Sequence, residues 1–411
     1  MNVKALQRVD RWVGVPLCGA LTLFRTVFGR SSPSGQRPRS ILIIKLAEQG
    51  STVLAYPALR RAAELVGREN LYFIAFESNR FILDLLDVLP RENVITVSEK
   101  GGLAFVISLL KAIRRLRGLK FDAAVDMEFF SRGSAALAYA SGAKMRVGFH
   151  SFFGEGPYRG NLMTHRLLYN AHLHTSQIFQ MLVEALRYDP KLLPTFDLKP
   201  PADIETPQFV PTPEERAKMQ EMLRSETGGR PPLLLLNANA SDMLPLRRWQ
   251  LERYAELARR LLARYPEAHV AFTGAPDEAA AAVKLVQSVG SNRCFSLAGK
   301  TSLRELLVLY TLADVLVTND SGPAHFATLT PIEVVTLFGP ETPALFGART
   351  SRNAVLWAGI ACSPCVNAYN NRQSVCRDNR CMQAISVDQV FEAVCGAYEK
   401  RRRERVAAVT G

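Results

Sequence analysis

Several features are missing from this chain. It has no run of eighteen or more uninterrupted apolar residues, which argues against a straight bilayer-spanning helix. No Gly-x-Gly-x-x-Gly follows the first strand-like run, residues 41–44. Gly50 stands alone there, which excludes a nicotinamide-dependent dehydrogenase with a dinucleotide loop. Basic residues are not interleaved with aromatics along a stripe, so nucleic acid is not an expected partner despite a net charge of +13. Nine of those thirteen charges sit at the ends, +6 over residues 1–39 and +3 over residues 396–411. Basic ends on a globular body suit an anionic membrane surface.

What is present is ample for a folded protein. A chain of 411 residues, 48% apolar and 22% charged, can build two cores. Val3, Leu6, Val9 and Val13 recur at helical spacing among Lys4, Arg8 and Arg11, and an apolar stretch from Trp12 to Phe24 is broken by Pro16 and closed by Arg25. A cleaved signal peptide shares the basic start and short apolar segment. Asp10, the missing Ala-x-Ala site, and Arg25 and Arg30 just downstream weigh against it, and Cys18 sits in a poor lipoprotein box. Residues 1–30 are therefore expected to form an in-plane or re-entrant membrane anchor with basic residues among the headgroups, followed by a linker at 31–39.

From residue 40 short apolar runs alternate with helical patterns. Strands are expected at 41–44, 71–76, 94–97 and 123–127, with helices at 52–66 and 102–117. Residues 201–230 continue a proline-rich connection that begins near 186. The alternation then restarts, with strands at 233–237, 270–273, 294–297, 314–318 and 332–337 and helices at 250–264, 277–288, 302–312 and 323–329. A final helix at 387–403 runs into the basic tail. The reading is α/β: two doubly wound domains, 40–200 and 231–386, with a cleft between them for a ligand.

In Val317-Thr-Asn-Asp-Ser-Gly-Pro-Ala-His325 an apolar run delivers an acid, a hydroxyl, a glycine and a histidine into one bend before a helix. A second turn, Leu337-Phe-Gly-Pro340, follows. Such a bend presents a phosphate and a sugar to backbone N–H groups, which points to a nucleotide-sugar enzyme. Asp320 and Ser321 could also serve as a helix cap, but that alone explains neither Gly322 nor His325.

With Ile43-Ile-Lys-Leu-Ala-Glu-Gln-Gly50 and Ala55-Tyr-Pro-Ala-Leu59, these motifs make the chain resemble glycosyltransferase family 9, the heptosyltransferases of lipopolysaccharide core assembly and their relatives. The resemblance covers roughly residues 40–395. It implies a GT-B fold of two Rossmann-like domains, an inverting mechanism, no required metal or other cofactor, and an ADP-sugar donor, commonly a heptose. It assigns donor binding to Asp320, Ser321, Gly322 and His325. Arg247, in Arg247-Arg-Trp249, falls against the donor phosphates, and Asn237 and Asn239 line the same place. Glu278 falls at the ribose, with Asp277 as the other choice. Arginine suits a diphosphate because its fork can bind bidentately.

One position departs from the family pattern. Where the family has the acid proposed as base for the acceptor hydroxyl, this chain has Ser51, whose hydroxyl cannot take a proton at neutral pH. Glu48, three residues earlier, is the nearest carboxylate and the expected replacement, unless it is only a solvated loop residue. The other reading is a donor-binding scaffold of a glycan assembly complex, without turnover.

On the acceptor side, Arg146-Val-Gly-Phe-His150 with Tyr158, Arg159, His165, His172 and His174 forms a basic, aromatic, histidine-rich stretch suited to an anionic glycolipid or phosphorylated sugar. Arg146 and His150 are the expected acceptor contacts. Cys362, Cys365, Cys376 and Cys381 have the spacing of a structural metal site, or are free thiols. Cys18, Cys294 and Cys395 read as ordinary small residues. A transferase using cytosolic nucleotide sugars is expected on the cytoplasmic face of a bacterial inner membrane, peripheral or monotopic through residues 1–30, a side with which its basic ends agree.

Overall fold

The computed structural model describes residues 3–28, 37–195, 197–199, 202, 206–240 and 244–410. Most of the expected linker at 31–39 lies outside them. The chain divides into two compact units. The first is Met1–Ile204 with Val366–Ser374, and the second is Glu205–Cys365 with Val375–Gly411.

The first unit is built on a parallel sheet of β1 (Ile41–Ile44), β2 (Leu71–Phe76), β3 (Val94–Val97), β4 (Ala123–Asp126), β5 (Met145–Phe149) and β6 (His165–Leu167), in the order β3-β2-β1-β4-β5-β6. All four residues of β1 are buried, and Ile41 lies opposite Leu71 on one side and Ala123 on the other. Consecutive rather than alternating apolar residues are what a strand covered on both faces requires. Cutting such a side chain back, as in Leu42→Ala, costs about 2–5 kcal/mol.

The second unit repeats the plan with β7 (Leu233–Asn237), β8 (His269–Phe272), β9 (Cys294–Ser296), β10 (Val315–Asn319), β11 (Glu333–Phe338) and β12 (Asn353–Trp357), in the order β12-β11-β10-β7-β8-β9. In each sheet the winding reverses once, between β1 and β4 and between β7 and β10. Ligand chemistry in such sheets gathers beyond the carboxyl ends of the strands at that reversal. Lys45 to Glu48 and Glu128 lie there in the first unit; Ala238 to Ala240, Asp320 and Ser321 lie there in the second.

The expected elements recur with three differences. The helix expected at 52–66 is two helices, α3 (Gln49–Leu54) and Tyr56–Val66, because Pro57 enters the first turn of the second without an N–H to continue the first. Strands β5, β6 and β12 were not among the expected ones. Residues 201–230 contain a regular helix, Pro213–Thr227, opened by a reciprocal cap between Thr212 and Glu215.

At the N-terminus α1 (Val3–Trp12) and α2 (Gly14–Phe28) pack on the helix Arg132–Ala140 of the first unit. Cys18 is fully buried, and the Thr22 hydroxyl accepts a hydrogen bond from the Asn161 N–H at 2.9 Å. Gly160 forms the seat for α2. Its φ is +65°, and a Cβ there would lie 2.7 Å from the Cys18 carbonyl oxygen. The outward side of the pair exposes Trp12, Leu23, Phe24, Val27 and Phe28. Among the described residues no helix is long and apolar enough to cross a membrane.

The C-terminal helix, Val387–Thr410, carries the second basic end. Its charges are largely committed within the fold. Lys400 pairs with Glu333 at 3.1 Å, Arg405 with Asp314 at 2.8 Å and Arg401 with Glu404 at 3.4 Å. This tail is therefore a poorer membrane contact than its sequence suggests.

Candidate active site

In the second unit β10 delivers Asn319 and Asp320 to the end of the sheet. Asn319 is a structural clasp that the motif reading overlooked. Its amide donates to the carbonyls of Ala238 and Asn239 at 3.3 and 3.1 Å, and its carbonyl oxygen accepts from the Trp249 N–H and the Tyr254 hydroxyl at 3.1 and 3.2 Å. These bonds fix the loop after β7 and the Arg247-Arg248-Trp249 segment against the motif.

Arg247 lies 3.7 Å from Asp320 and 3.5 Å from Glu341, measured from Nη1 to the nearer carboxylate oxygens. All three side chains are largely buried, so each charge acts in a less polar medium than water. Glu341, just beyond β11, was not singled out from the sequence; it is part of the turn Leu337-Phe-Gly-Pro-Glu341. Thus the guanidinium expected to meet phosphate is here held between two carboxylates.

The rest of the motif is arranged differently from a simple cap. Ser321 occupies the cap position of the helix Gly322–Ala327 but makes no side-chain cap bond. Its hydroxyl donates back to the Asn319 carbonyl at 3.1 Å and lies 3.2 Å from the Thr318 hydroxyl. The helix has only six residues, so its dipole is small. His325 is buried within it.

Glu278 and Asn239 come together at the end of β8. Glu278 accepts a 2.7 Å hydrogen bond from the Ala275 N–H and a further one from the Asn239 side chain. Burial pushes its pKa above the ordinary carboxylate value. Gly274 is required here, since a Cβ on it would stand 2.8 Å from Glu278 Oε2 and 3.3 Å from Asn239 Nδ2. Asn237 is used otherwise: its amide donates to the Thr273 carbonyl at 3.2 Å and ties β7 to β8.

In the first unit the loop after β1 gathers charge. Glu48 adopts left-handed backbone angles (φ 67°, ψ 80°) at the start of α3. Its carboxylate forms an ion pair with Arg372 and lies 3.9 Å from Lys45 Nζ. The Ser51 hydroxyl donates to Glu48 Oε2 at 3.1 Å and to the Glu48 carbonyl at 2.9 Å. Although Ser51 replaces an acid, a carboxylate oxygen is thus delivered beside it from three residues earlier. Two partners escaped the sequence reading. Glu128 holds the loop by accepting from the N–H groups of Leu46 and Ala47 at 2.7 and 3.0 Å. Arg372, in the returning segment Val366–Ser374, also lies 5.7 Å from the centre of the Phe129 ring.

The acceptor-side residues separate into two kinds. Arg146 is buried, with its donors on the carbonyls of Leu162 and Ala143 at 2.7 and 2.5 Å, so it holds the fold rather than reaching for a ligand. His165 is buried in β6, and His174 caps the helix Thr175–Glu184. His150 remains at the surface, lining a cavity with Arg159 and Arg166.

Of the two readings of the cysteine spacing, a metal site or thiols alone, the described residues do not assemble the first. Among the described residues no three of His, Cys, Asp and Glu are placed to hold an ion. Cys362 is exposed, the Cys376 thiol donates to the Asp378 carbonyl at 3.0 Å, and Cys381 is buried beneath Gly339.

Comparison with known proteins gives the family and the fold. The family model for glycosyltransferase family 9 (heptosyltransferase) matches residues 109–375. The lipopolysaccharide core heptosyltransferase OpsX of Haemophilus influenzae is 25% identical over 316 residues, 75% of this chain and 81% of that protein. Lipopolysaccharide heptosyltransferase 2 of Escherichia coli K12 is 28% identical over 269 residues, 63% of this chain and 72% of its own. Among solved structures, E. coli ADP-heptose lipopolysaccharide heptosyltransferase II superposes with a TM-score of 0.66 at 18% identity, covering 88% of this chain and 99% of that one. The family 9 glycosyl transferase of Veillonella parvula gives 0.66 at 19% identity, covering 90% and 99%. These two share the fold: paired parallel α/β units of the GT-B class. With the family model spanning well over half its length, the chain belongs to glycosyltransferase family 9 and is a glycosyl-transferring enzyme.

Proposed function

We propose that this enzyme transfers heptose from ADP-heptose to the core of lipopolysaccharide, with inversion, at the cytoplasmic surface of the inner membrane. The relatives named above support heptose and the lipopolysaccharide core. The observation that carries the donor assignment is Arg247, held beside Asp320 and Glu341 beyond the ends of β10 and β11. Negative charge builds on the departing ADP, and a fixed guanidinium stabilises it without a metal. Glu278 and Asn239 take the ribose, and Asp320 orients the sugar. Glu48 is the base: it takes the acceptor hydroxyl's proton as that oxygen attacks the anomeric carbon and the carbon–phosphate oxygen bond breaks. The outward apolar side of α1 and α2 supports a peripheral membrane contact.

The direct test is incubation of purified enzyme with ADP-heptose and heptose-deficient lipopolysaccharide, reading ADP release and the mass of the glycolipid. Addition of one heptose establishes the reaction. Because Ser51 replaces an acid, the other reading is a scaffold that binds donor without turnover. Tight ADP-heptose binding with no transfer would favour the scaffold, and no binding would remove both.

A further inference from the structure

In the first unit a cavity of about 410 Å³ opens between α2 and residues 150–161. Its wall includes Thr22, His150, Tyr158, Arg159, Asn161 and Arg166. Arg159 is already engaged, in a buried ion pair with Asp126. Arg166 is not: its nearest polar side-chain partner is Asn161 Oδ1 at 3.5 Å, and its guanidinium lies 5.9 Å from the Phe152 ring centre. Arg25, on α2, donates to the main-chain carbonyls of Asn161 and Met163. Together with Arg146 this makes three arginines, none of which forms an ion pair with a described residue.

Burial and neighbouring positive charge press on two of them, Arg25 and Arg146. Burial, and then the charge of Arg166, lower Arg25, while burial and the charge of Arg25 bring Arg146 down to about 10. Burial and the charges of Arg166 and Arg159 likewise keep His150 below its ordinary value, opposed by Glu155. The Glu155 carboxylate itself is occupied by the N–H groups of Phe152 and Phe153 at 2.9 and 2.7 Å. Unneutralised cations beside a cavity are relieved by an anion, and guanidinium groups favour the oxyanions of phosphate.

The outer face of α2 indicates where that anion comes from. Beside Thr22 and Arg25 it exposes Leu23, Phe24, Val27 and Phe28 at 67%, 56%, 62% and 70%. The helix Leu103–Leu119, which also packs on the helix Arg132–Ala140, exposes Leu103, Val106, Ile107 and Leu110. Apolar side chains around a cationic cavity match a lipid surface, with acyl chains against the first and headgroups toward the second. We propose that this cavity binds a phosphate-bearing headgroup of a membrane lipid, with Arg166 as the cation in its wall, Arg25 as a second positive charge near Arg166 but outside the lining, and Thr22 of α2 at its edge. The inference rests on the membrane placement proposed above and seats a lipid headgroup against the N-terminal helix pair.

The test is sedimentation of the full-length enzyme with vesicles of phosphatidylcholine alone or containing phosphatidic acid. Wild type is expected to prefer the phosphatidic acid vesicles. Arg166→Gln and Arg25→Gln should each lose about tenfold of that preference, with binding to neutral vesicles unchanged, and Arg166→Lys should keep most of it. Arg166 has little structural bonding, so its variants remain informative if Arg25→Gln fails to fold. Equal binding of both vesicle types by wild type, or unchanged preference in both glutamine variants, would overturn the proposal. Inorganic phosphate binding with the same arginine dependence, without any vesicle preference, would overturn the lipid assignment. Titration of the same samples with ADP-heptose reads the second unit. Donor binding lost while vesicle preference persists faults the transferase reading; the reverse faults only the headgroup site.

Discussion

Asp10 caps a helix that begins more than a hundred residues later. Its Oδ1 accepts the N–H groups of Arg132 and Gly133 at 2.9 and 3.0 Å, and its Oδ2 lies 3.0 Å from Arg132 Nη1. The bond joins α1 to the first turn of the helix Arg132–Ala140, where backbone donors lack partners. Asp10→Asn is expected to cost about 1–2 kcal/mol and to loosen the N-terminal pair. Chemical unfolding and proteolysis within residues 1–30 check this, and unchanged stability with unchanged cleavage would show that α1 is not held by Asp10. Deleting residues 1–28 should accordingly destabilise the enzyme as well as weaken its membrane association.

Glu48→Gln should lower transfer by about 10²–10⁴-fold while leaving ADP-heptose affinity nearly unchanged. Adding Ser51→Asp to that variant should recover part of the activity, because position 51 adjoins the Glu48 carboxylate. Turnover in Glu48→Gln equal to wild type would remove Glu48 as the base.

Arg247, the proposed diphosphate contact, is flanked by Asp320 and Glu341. Arg247→Gln should weaken donor binding by about 10–100-fold. Glu341→Gln should strengthen it by a few-fold at low salt, because one competitor for the guanidinium loses its charge. Calorimetric titration with ADP distinguishes them. Weaker binding in Glu341→Gln would mean that this carboxylate positions Arg247 instead of competing for it.

Gly274→Ala places a methyl group against Glu278 and Asn239. The expected result is weaker ADP-heptose binding with little loss of the thermal midpoint. Wild-type affinity in this variant would show that the two side chains are not donor contacts.

His165 is fully buried, and burial pushes it down from 6.5 to about 4. The unfolded chain therefore takes up a proton that the folded chain refuses between those values. Stability is complete above about pH 6.5 and falls as the pH drops toward 4, by about 3 kcal/mol in all. Urea midpoints across that range should fall less steeply in His165→Gln than in wild type. Parallel slopes would show that another group governs the acid transition.

The sequence made the central strands and the turn at 319–325 legible for the same reason. Buried parallel strands need uninterrupted apolar runs, as in Ile41–Ile44, and the turns at their ends concentrate unusual residues. Strands β5 and β6 were hidden because Arg146, Gly148, His165 and Arg166 interrupt the apolar signal. Strand β12 was hidden because it is largely open to solvent. Glu341 was obscured inside a turn read only for its glycine and proline. Arg372 could not be found by local pattern at all, since its partner Glu48 lies 324 residues away. Cysteine spacing left two readings open, because ligand spacing along a chain does not by itself make thiols converge.

The first unit is also not one continuous stretch of chain, because Val366–Ser374 returns to it. Those residues supply Arg372 to Glu48 and the Tyr369 hydroxyl to the Tyr169 carbonyl. An enzyme re-engineered by exchanging residues 1–204 with those of a relative would receive a first unit whose proposed base, Glu48, faces a foreign counter-ion. Modular grafting of acceptor specificity in this enzyme therefore requires two segments to travel together, the long one and the nine-residue strap that completes it.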